Sequence, residues 1–261
     1  MSWRWLNASV AGTSHASSGT PCQDDCLIDL ASGAAGEVLI AIASDGAGSA
    51  AHAEEGSALA CETLYAAAAE WLEGGVPDNV TREVAEAWIH RLRTAIESRA
   101  REHSATMRDF ACTLVAAILC ERAAVFLQIG DGAIVVATGD VHEVVFWPDS
   151  GEYANMTFFT TDEDWQKHVH FEVRAAAFDD VALMTDGLQR LALHYDTHTP
   201  HAPFFASMFG ALQSSAAGFD GDLEPALVAF LHSDAVNERT DDDKTLVLAT
   251  RRLVEEAHGD R

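Results

Sequence analysis

Short uninterrupted apolar runs recur along the chain, and two of them lead directly into an aspartate. Residues 38–44 (V-L-I-A-I-A-S) precede Asp45, and residues 181–185 (V-A-L-M-T) precede Asp186. Apolar runs of this length are typical of strands that are buried on both faces. The pattern therefore predicts two buried strands, each with a carboxylate near its carboxyl end. A third run, residues 244–250, predicts another strand that directly follows three aspartates.

Two long helices are predicted after the first of these strands. One extends from Ser49 to about Glu73, where a Gly-Gly pair stops it. The other begins after Asp78 or Thr81, either of which can cap it, and ends near His103. Its apolar residues recur at every fourth position, at Val84, Trp88, Leu92 and Ile96. This spacing places them on one face, so the helix is predicted to pack against a core.

The remaining pattern predicts hairpins, a half-exposed strand and two shorter helices. Residues 112–120 are predicted to pair with 123–129 and residues 133–137 with 141–146, while 168–174 form a strand and 203–213 and 223–232 form helices. Residues 147–166 and 218–222 are predicted to be irregular. Elements in this order favour an α+β sandwich over a repeated βαβ unit. No repeat and no long linker divides the sequence, so residues 1–261 are predicted to form a single domain.

The charge balance excludes two classes of partner. The formal net charge is −25, from 41 acidic and 16 basic residues. Nucleic acid and anionic membrane surfaces both attract clusters of Lys and Arg, so neither is an expected partner. The apolar fraction of 48% is enough to bury a sizeable core.

The cysteines indicate neither disulfides nor a zinc site. Cys22 and Cys26 are four residues apart, but no second pair of Cys or His follows at zinc spacing. All five cysteines are predicted to be reduced thiols in a cytoplasmic protein. The first residues (M-S-W-R-W) do not form a signal peptide, and no apolar run approaches the ~18–20 residues that a membrane span needs.

Five short motifs built around aspartate carry the candidate chemistry. They are Q-D-D at 23–25, S-D-G-A-G-S-A at 44–50, I-G-D-G-A at 129–133, M-T-D-G-L at 184–188 and D-D-D-K-T at 241–245. Carboxylates that converge from distant parts of a chain repel one another by about 4 kcal/mol per pair at 4 Å and an effective dielectric of 20. A divalent cation removes that penalty, and an all-oxygen ligand set favours magnesium, manganese or calcium over zinc. The motifs therefore predict a site for a hard cation.

In order and spacing, these motifs resemble the metal-dependent serine/threonine protein phosphatases of type 2C, especially the bacterial branch. The resemblance extends from about Gly12 to Thr250. It implies an α-β-β-α sandwich, in which two stacked antiparallel β-sheets are flanked by helices and the metals lie at one end between the sheets. It also implies an enzyme that hydrolyses phosphoserine and phosphothreonine with a water activated at a binuclear centre of Mg²⁺ or Mn²⁺.

The resemblance assigns a role to most of the aspartates. Asp45 would bridge two metals, and the carbonyl of Gly46 would bind one of them, because glycine lets the backbone approach an ion closely. Asp24, Asp186 and Asp242 would be further metal ligands. A plain turn or helix cap is the alternative interpretation of an Asp-Gly pair such as Asp45-Gly46.

Two of the acidic motifs need a further remark. Asp131, in I-G-D-G-A, matches an aspartate that contacts a third, weaker metal in some relatives, but a glycine-flanked hairpin turn explains it equally well. Asp242 matches the aspartate of the family's D-N-x-T motif, whereas Asp243 stands where asparagine is usual.

The first motif departs from the family pattern, which has an arginine that binds the substrate phosphate and then Asn-Glu-Asp. If Asp24 matches the family's last aspartate, Gln23 replaces the glutamate that binds the second metal. In the other register, Asp24 replaces that glutamate and Asp25 the aspartate. No arginine stands at the phosphate-binding place, where His15 is the nearest candidate. Residues 151–157 lie where the family carries a variable flap, and their Asn and Thr are candidates to contact substrate.

The expected partner is a phosphorylated protein, the substrate of a partner serine/threonine kinase in signal transduction. The alternative is a catalytically weak or inactive relative that binds a phosphoprotein, which Gln23 and the missing arginine favour. A calcium-stabilised structural protein is a further alternative, but its aspartates should lie together in one loop, and here they are scattered along the chain.

Overall fold

The computed structural model describes residues 1–149 and 157–252. The strands are β1 (Ser2–Val10), β2 (Asp24–Gly33), β3 (Gly36–Asp45), β4 (Leu114–Leu119), β5 (Ala124–Ile129), β6 (Ala133–Thr138), β7 (Val141–Val144), β8 (His170–Arg174), β9 (Asp180–Met184), β10 (Leu193–His194), β11 (Thr199–Pro200), β12 (Gly218–Phe219) and β13 (Lys244–Arg252). The α-helices are α1 (Thr13–Ser18), α2 (Ala53–Leu72), α3 (Arg82–Glu102), α4 (Gln189–Ala192), α5 (Ala202–Leu212), α6 (Glu224–Leu231) and α7 (Asp234–Asn237). Short 3-10 helices cover Pro77–Asn79, Met107–Phe110, Trp165–His168 and Asp186–Leu188.

Two sheets form the centre of the molecule. The six-stranded sheet has the order β12-β1-β13-β9-β6-β7, and the five-stranded sheet has the order β2-β3-β4-β5-β8. Neighbouring strands pair antiparallel, except that the edge strand β12 joins β1 in parallel. A separate two-stranded hairpin, β10–β11, follows α4.

Alternation along the strands divides the core into three layers. In β13, Val247 packs between the two sheets, whereas its neighbours Leu246 and Leu248 face α5 and α6. In β3, Leu39 likewise packs between the sheets and Ile40 packs against α2 and α3. Because successive side chains of a strand point to opposite faces, each sheet is buried on both sides. The runs are therefore continuously apolar, as in other doubly covered sheets.

The structure confirms the predicted α-β-β-α sandwich. Helices α2 and α3 cover the five-stranded sheet, and α4 to α6 cover the other. The predicted hairpins β4–β5 and β6–β7 are present. Of the two possible caps for α3, Thr81 is the one used, since its hydroxyl accepts from the backbone N–H of Val84 at 3.4 Å.

Several boundaries differ from the prediction. Helix α2 begins at Ala53 rather than Ser49, because the segment before it bonds to a neighbouring loop: Ala47 N–H donates to the Ala111 carbonyl and His52 N–H to the Asp109 carbonyl. Strands β1 and β2 and helix α1 were not predicted, and the stretch 218–222 contains β12 rather than only a loop. The strand predicted over 168–174 begins at His170, after a 3-10 helix.

Two other predictions concern the whole chain. All five cysteines are free. Among the described helices, none has both the length and the apolar character that crossing a bilayer would require.

Candidate metal centre

Three aspartates from distant parts of the sequence meet at one end of the sandwich. Asp45 ends β3, Asp131 lies in the turn between β5 and β6, and Asp186 follows β9. One carboxylate oxygen from each lies within 4.8 Å of those of the other two. Antiparallel pairing brings these strand ends together, since β3, β5 and β9 all run toward the same end. The acidic group that the sequence predicted to converge is therefore assembled, and Asp131 belongs to it.

These carboxylates lie in a poorly hydrated, negatively charged environment. Burial raises the pKa of Asp45 well above its usual range, and the charges of Asp24 and Asp186 raise it further. Burial also raises the pKa of Asp186 to about 8, with added repulsion from Asp131 and Asp242. Both desolvation and like charge disfavour the ionised form of a carboxylate. The described residues thus concentrate negative charge here, which a bound cation would offset.

Asp131 has one carboxylate oxygen in use and one without a partner. Its Oδ2 accepts a hydrogen bond of 2.7 Å from the Thr157 hydroxyl. Its Oδ1 is buried and has no hydrogen-bond partner among the described residues. Leaving a buried acceptor unpaired costs about 1–3 kcal/mol or more. An oxygen that is buried, anionic and unpaired fits a hard divalent cation, so the residues present suit the predicted metal.

Asp24, the first residue of β2, connects the two sheets at this end. Its Oδ2 accepts hydrogen bonds from Thr185 at 2.6 Å and from Thr245 at 2.9 Å, both of which belong to the six-stranded side. Burial raises the pKa of Asp24 to about 7, although these two hydroxyls and Asp45 oppose the shift. Asp24 pairs with Asp45 across the β2–β3 ladder. The adjacent Asp25 lies on the opposite side of the strand, toward Glu62 of α2.

The backbone around Asp45 is fixed on both sides. Asp45 N–H donates to the Thr113 hydroxyl at 3.0 Å, and Thr113 N–H donates to the Asp45 carbonyl at 2.8 Å. At Gly46, an added Cβ would lie 2.5 Å from the Ala53 carbonyl oxygen and 2.7 Å from that of Gln23. No side chain fits there without moving the backbone of two neighbours. Glycine is therefore required at this position by close packing.

In the D-D-D-K-T motif, Asp242 lies beside the carboxylates of the centre, whereas Asp243 holds neighbouring segments together. Asp242 is exposed and lies close enough to Asp186 and Asp131 to raise the pKa of both. Asp243 is only 2% exposed, and its carboxylate is used for hydrogen bonds within the chain. Lys244 turns away, with its Nζ donating to Asn237 of α7 at 2.8 Å. Asp242 is thus the member of this motif beside the centre.

The carboxylate of Asp243 joins three segments at the edge of the centre. One carboxylate oxygen accepts from Gly12 N–H at 2.7 Å and the other from Gln23 N–H at 2.6 Å. His15, on α1, places its Nδ1 2.9 Å from the same carboxylate. Burial raises the pKa of Asp242, and the nearby His15 imidazole opposes that shift. Asp243 therefore fixes the position of His15, the residue that the sequence suggested for phosphate binding.

Comparison with known proteins identifies the family. The family model described as protein phosphatase 2C matches residues 11–232. Serine/threonine-protein phosphatase 3 of Escherichia coli (strain K12) is 40% identical over 251 residues, which are 95% of this chain and 98% of that protein. The chain belongs to the protein phosphatase 2C family. The predicted family, and with it an enzyme of the serine/threonine phosphatase type, is confirmed.

Solved structures of type 2C phosphatases share the fold. Stp1 from Staphylococcus aureus superposes with a TM-score of 0.58 at 17% identity, covering 95% of each chain. The catalytic domain of the serine/threonine protein phosphatase PstP, in complex with 2 manganese ions, gives a TM-score of 0.59 at 18% identity, covering 95% of this chain and 98% of that one. At this level of identity the likeness concerns the fold alone.

If Asp24 matches the family's last aspartate, Gln23 stands where the family has a glutamate, and the structure shows which contacts Gln23 makes. The Gln23 backbone accepts from Gly46 N–H at 3.1 Å and from the Ser57 hydroxyl at 2.6 Å. Its side-chain Oε1 is buried and has no hydrogen-bond partner among the described residues. A neutral amide oxygen is a weaker ligand for a hard cation than a carboxylate, so any ion bound here would be held less tightly.

Sequence reasoning missed the neutral residues that hold the carboxylates in place. Thr185 and Thr245 lie within motifs that were singled out for their aspartates. Gln189 donates to the Asp131 carbonyl and accepts from the Tyr195 hydroxyl. No spacing rule indicates such contacts, because the partners are far apart in sequence. Of the predicted flap, Thr157 bonds to Asp131, and residues 151–156 lie outside the described part of the chain.

Proposed function

We propose that this type 2C phosphatase hydrolyses phosphoserine and phosphothreonine in protein substrates at a divalent-cation centre. The observation that carries the proposal is the convergence of Asp45, Asp131 and Asp186, with one oxygen of each within 4.8 Å of the others. When bound, divalent ions would supply a nucleophile from water at neutral pH and offset the charge of the phosphoryl group. The two sheets share one core, so we further propose that the chain acts as one domain.

The ligands we propose are all oxygens, which favours Mg²⁺ or Mn²⁺. Asp45 and Asp186 would bind directly, together with the Gly46 carbonyl. Asp242 would complete the set from the exposed side. The manganese bound to PstP, which shares the fold, supports two such ions. Asp131 would bind at the same centre or hold a third ion, through the Oδ1 that has no other described partner.

Two residues have proposed tasks besides direct binding. Asp24 commits its Oδ2 to two threonines, which leaves Oδ1 to face Asp45 or an ion. His15 would receive the substrate phosphate, because Asp243 fixes its Nδ1 and leaves Nε2 as the nitrogen available to a ligand. The expected partner remains a phosphoprotein made by a serine/threonine kinase.

A phosphothreonine peptide provides the direct test. Phosphate release would be measured with Mn²⁺, with Mg²⁺ and with a chelator, for the wild type, Asp45→Asn and Asp186→Asn. Asp29→Asn, at an exposed position of β2, is the matched control for losing one carboxylate. We expect metal-dependent turnover that both centre variants lose and the control keeps. Equal turnover in all four proteins, or turnover that persists in chelator, would refute the proposal.

The other candidate function is binding of a phosphoprotein without efficient turnover, and Gln23 favours it. The two candidates differ in what Gln23→Glu should do. If weak binding of the second ion limits turnover, the variant should lower the Mn²⁺ concentration needed for half-maximal rate. If the wild type binds the phosphopeptide and shows no turnover at any metal concentration, the binding function replaces the enzymatic one.

A further inference from the structure

A second group of metal-ligating side chains lies where α2 begins and α3 ends. His52 precedes the first turn of α2, Glu55 lies in that turn, and His103 follows the last turn of α3. One ligand atom from each lies within 4.8 Å of the others. We propose that His52, Glu55 and His103 form a binding site for a transition metal ion of the zinc type. This site is separate from the aspartate centre.

The imidazole nitrogens lie too far from the Glu55 oxygens for direct hydrogen bonds, and near the separation of two ligands on one metal ion. His52 Nδ1 lies 3.6 Å from Glu55 Oε1, and His103 Nε2 lies 3.4 Å from Glu55 Oε2. Both distances exceed the ~2.7–3.2 Å of an N–H···O hydrogen bond. Zinc ligands about 2.0–2.1 Å from the ion, in tetrahedral geometry, are about 3.3–3.4 Å from one another. Each imidazole thus lies about one such ligand–ligand distance from one oxygen of Glu55, and small movements of the side chains would bring one atom of each residue around an ion.

Aromatic packing holds both imidazole rings in this arrangement. The ring of His52 stacks on Phe110 with centroids 4.7 Å apart, and the ring of His103 meets Phe110 edge-on at 5.8 Å. Phe110 itself is fully buried. Fixed rings lose little conformational freedom on binding, which raises the affinity of a site.

The site remains open to solvent. His52, Glu55 and His103 are 29%, 36% and 33% exposed. An ion therefore has a route in, and water can fill the fourth position as it does in open zinc sites. Two imidazoles and one carboxylate are a ligand set that suits zinc, in contrast to the all-oxygen set around Asp45.

Arg99 is the residue that would compete with the ion. Its NH1 lies 3.3 Å from Glu55 Oε2, and its Nε lies 3.5 Å from Glu102 Oε2. Without a metal, the guanidinium offsets the charge of Glu55. With a metal, Glu102 offers Arg99 another partner one helical turn away. Removal of the guanidinium should therefore tighten metal binding.

The position of the site suggests what the ion would do. It would tie the start of α2 to the end of α3, and the segment 47–52 connects it to Gly46. An ion that binds only the folded arrangement stabilises it by mass action. The expected result is a higher unfolding temperature, measurable without any enzymatic activity.

The test uses Co²⁺ and Zn²⁺ on the metal-stripped full chain, with excess Mg²⁺ present to occupy the aspartate centre. Visible absorption of Co²⁺ reports tetrahedral binding, and equilibrium dialysis gives the zinc stoichiometry. The proteins are the wild type, Asp186→Asn, His103→Ala, Glu55→Gln and Arg99→Gln. His232→Ala, which removes an exposed histidine beside α6, is the matched control.

We expect the wild type, Asp186→Asn and His232→Ala to bind one tetrahedral Co²⁺ and to melt higher with Zn²⁺. His103→Ala and Glu55→Gln should weaken binding by more than about 100-fold, since loss of even an outer partner of a ligand costs about 10–100-fold. Arg99→Gln should bind more tightly than the wild type. Unchanged binding in Glu55→Gln, which keeps the shape of the side chain, would overturn the proposal even if His103→Ala fails to fold. Loss of the Co²⁺ spectrum in Asp186→Asn would also overturn it.

Discussion

Strand β9 has a buried aspartate at its start and another aspartate just past its end, and the two are treated oppositely. Asp180, at the start, accepts from Arg252 NH2 at 2.7 Å and from the Thr250 hydroxyl. Asp186, past the end, has the carboxylates of Asp45 and Asp131 as its neighbours. Burial raises the pKa of both carboxyls, but at Asp180 the threonine and the arginine oppose that shift, and at Asp186 other acids add to it.

The difference shows how a structural carboxylate can be told from one kept for a ligand. A buried charge is tolerated when a partner within the chain offsets it, as at Asp180. At the other end of the strand the charged neighbours of Asp186 are acidic, and the cation that we propose would offset their charge. Repulsion among the carboxylates around Asp186 lowers the stability of the metal-free fold, as is common at functional sites.

The largest effect should come from removing a carboxylate at the centre. Asp186→Asn should lower kcat by at least about 100-fold, because even outer-sphere losses at metal sites cost about 10–100-fold. The same change should raise the unfolding temperature in chelator, because it relieves repulsion. Turnover of a phosphopeptide and thermal melting measure the two effects. Lower turnover together with a higher unfolding temperature in chelator is what we expect of a metal ligand. A loss of both activity and metal-free stability would contradict this role for Asp186.

A smaller effect should follow from loosening Asp24. Thr185→Val removes a hydroxyl that holds Asp24 Oδ2 and should raise the Mn²⁺ concentration for half-maximal rate about 10–100-fold. The kcat at saturating metal should change much less. Thr185→Ser keeps the hydroxyl and should behave as the wild type. If Thr185→Ser is as impaired as Thr185→Val, the methyl group and not the hydrogen bond is what matters.

At the start of β9, replacing Asp180 should change stability and leave turnover unaffected. Asp180→Asn should lower the free energy of unfolding by about 1–3 kcal/mol, because it weakens the hydrogen bonds to Arg252 and Thr250. Turnover at a temperature where the variant is folded should match the wild type. Urea unfolding and the phosphopeptide assay give the two readings. A loss of turnover comparable to that of Asp186→Asn would remove the contrast between the two ends of β9.

The last prediction concerns how the stability of the metal-free protein depends on pH. In the unfolded chain Asp24 and Asp186 ionise near 3.8, whereas in the fold their pKa values are about 7 and about 8. The folded state therefore binds more protons between these values, and the stability that they contribute is full below about pH 4 and lost as pH rises through 7 to 8. The melting temperature of the metal-free protein, measured in chelator, should therefore fall as pH rises from about 4 to about 8.

Two measurements check the origin of that slope. In Asp186→Asn the fall in melting temperature should be smaller, and in saturating Mn²⁺ the wild type should no longer lose stability toward pH 8. A metal-free protein whose melting temperature rises between pH 4 and pH 8 would contradict the expected sign.

The sequence predicted the parts of the fold whose signals are local. Strands β3, β9 and β13 were found because their apolar runs are continuous, as burial on both faces requires. Strand β1 was missed because two consecutive buried residues, Trp5 and Leu6, interrupt its alternation of apolar and polar positions. Strand β2 has acidic residues on its half-buried face, which masked its pattern.

The sequence predicted the aspartates of the candidate centre but not the residues that hydrogen-bond to them. Aspartates at strand ends point to a cation by their chemistry alone. The pairing of Asp24 with Thr185, or of Asp243 with Gly12 and Gln23, depends on strand order, which one sequence does not reveal. The His52–Glu55–His103 group was invisible for the same reason, because its members lie at opposite ends of two helices.

The place of β13 between β1 and β9 has a consequence for how the molecule is made. A ribosome releases β13 after all the other described strands, so β1 must wait for a partner that lies more than 230 residues later along the chain. Pairings between such distant segments form slowly, and unpaired edges are exposed meanwhile. If Asp242 is a metal ligand, as we propose, the metal centre cannot be complete before the segment that leads into β13 has been made.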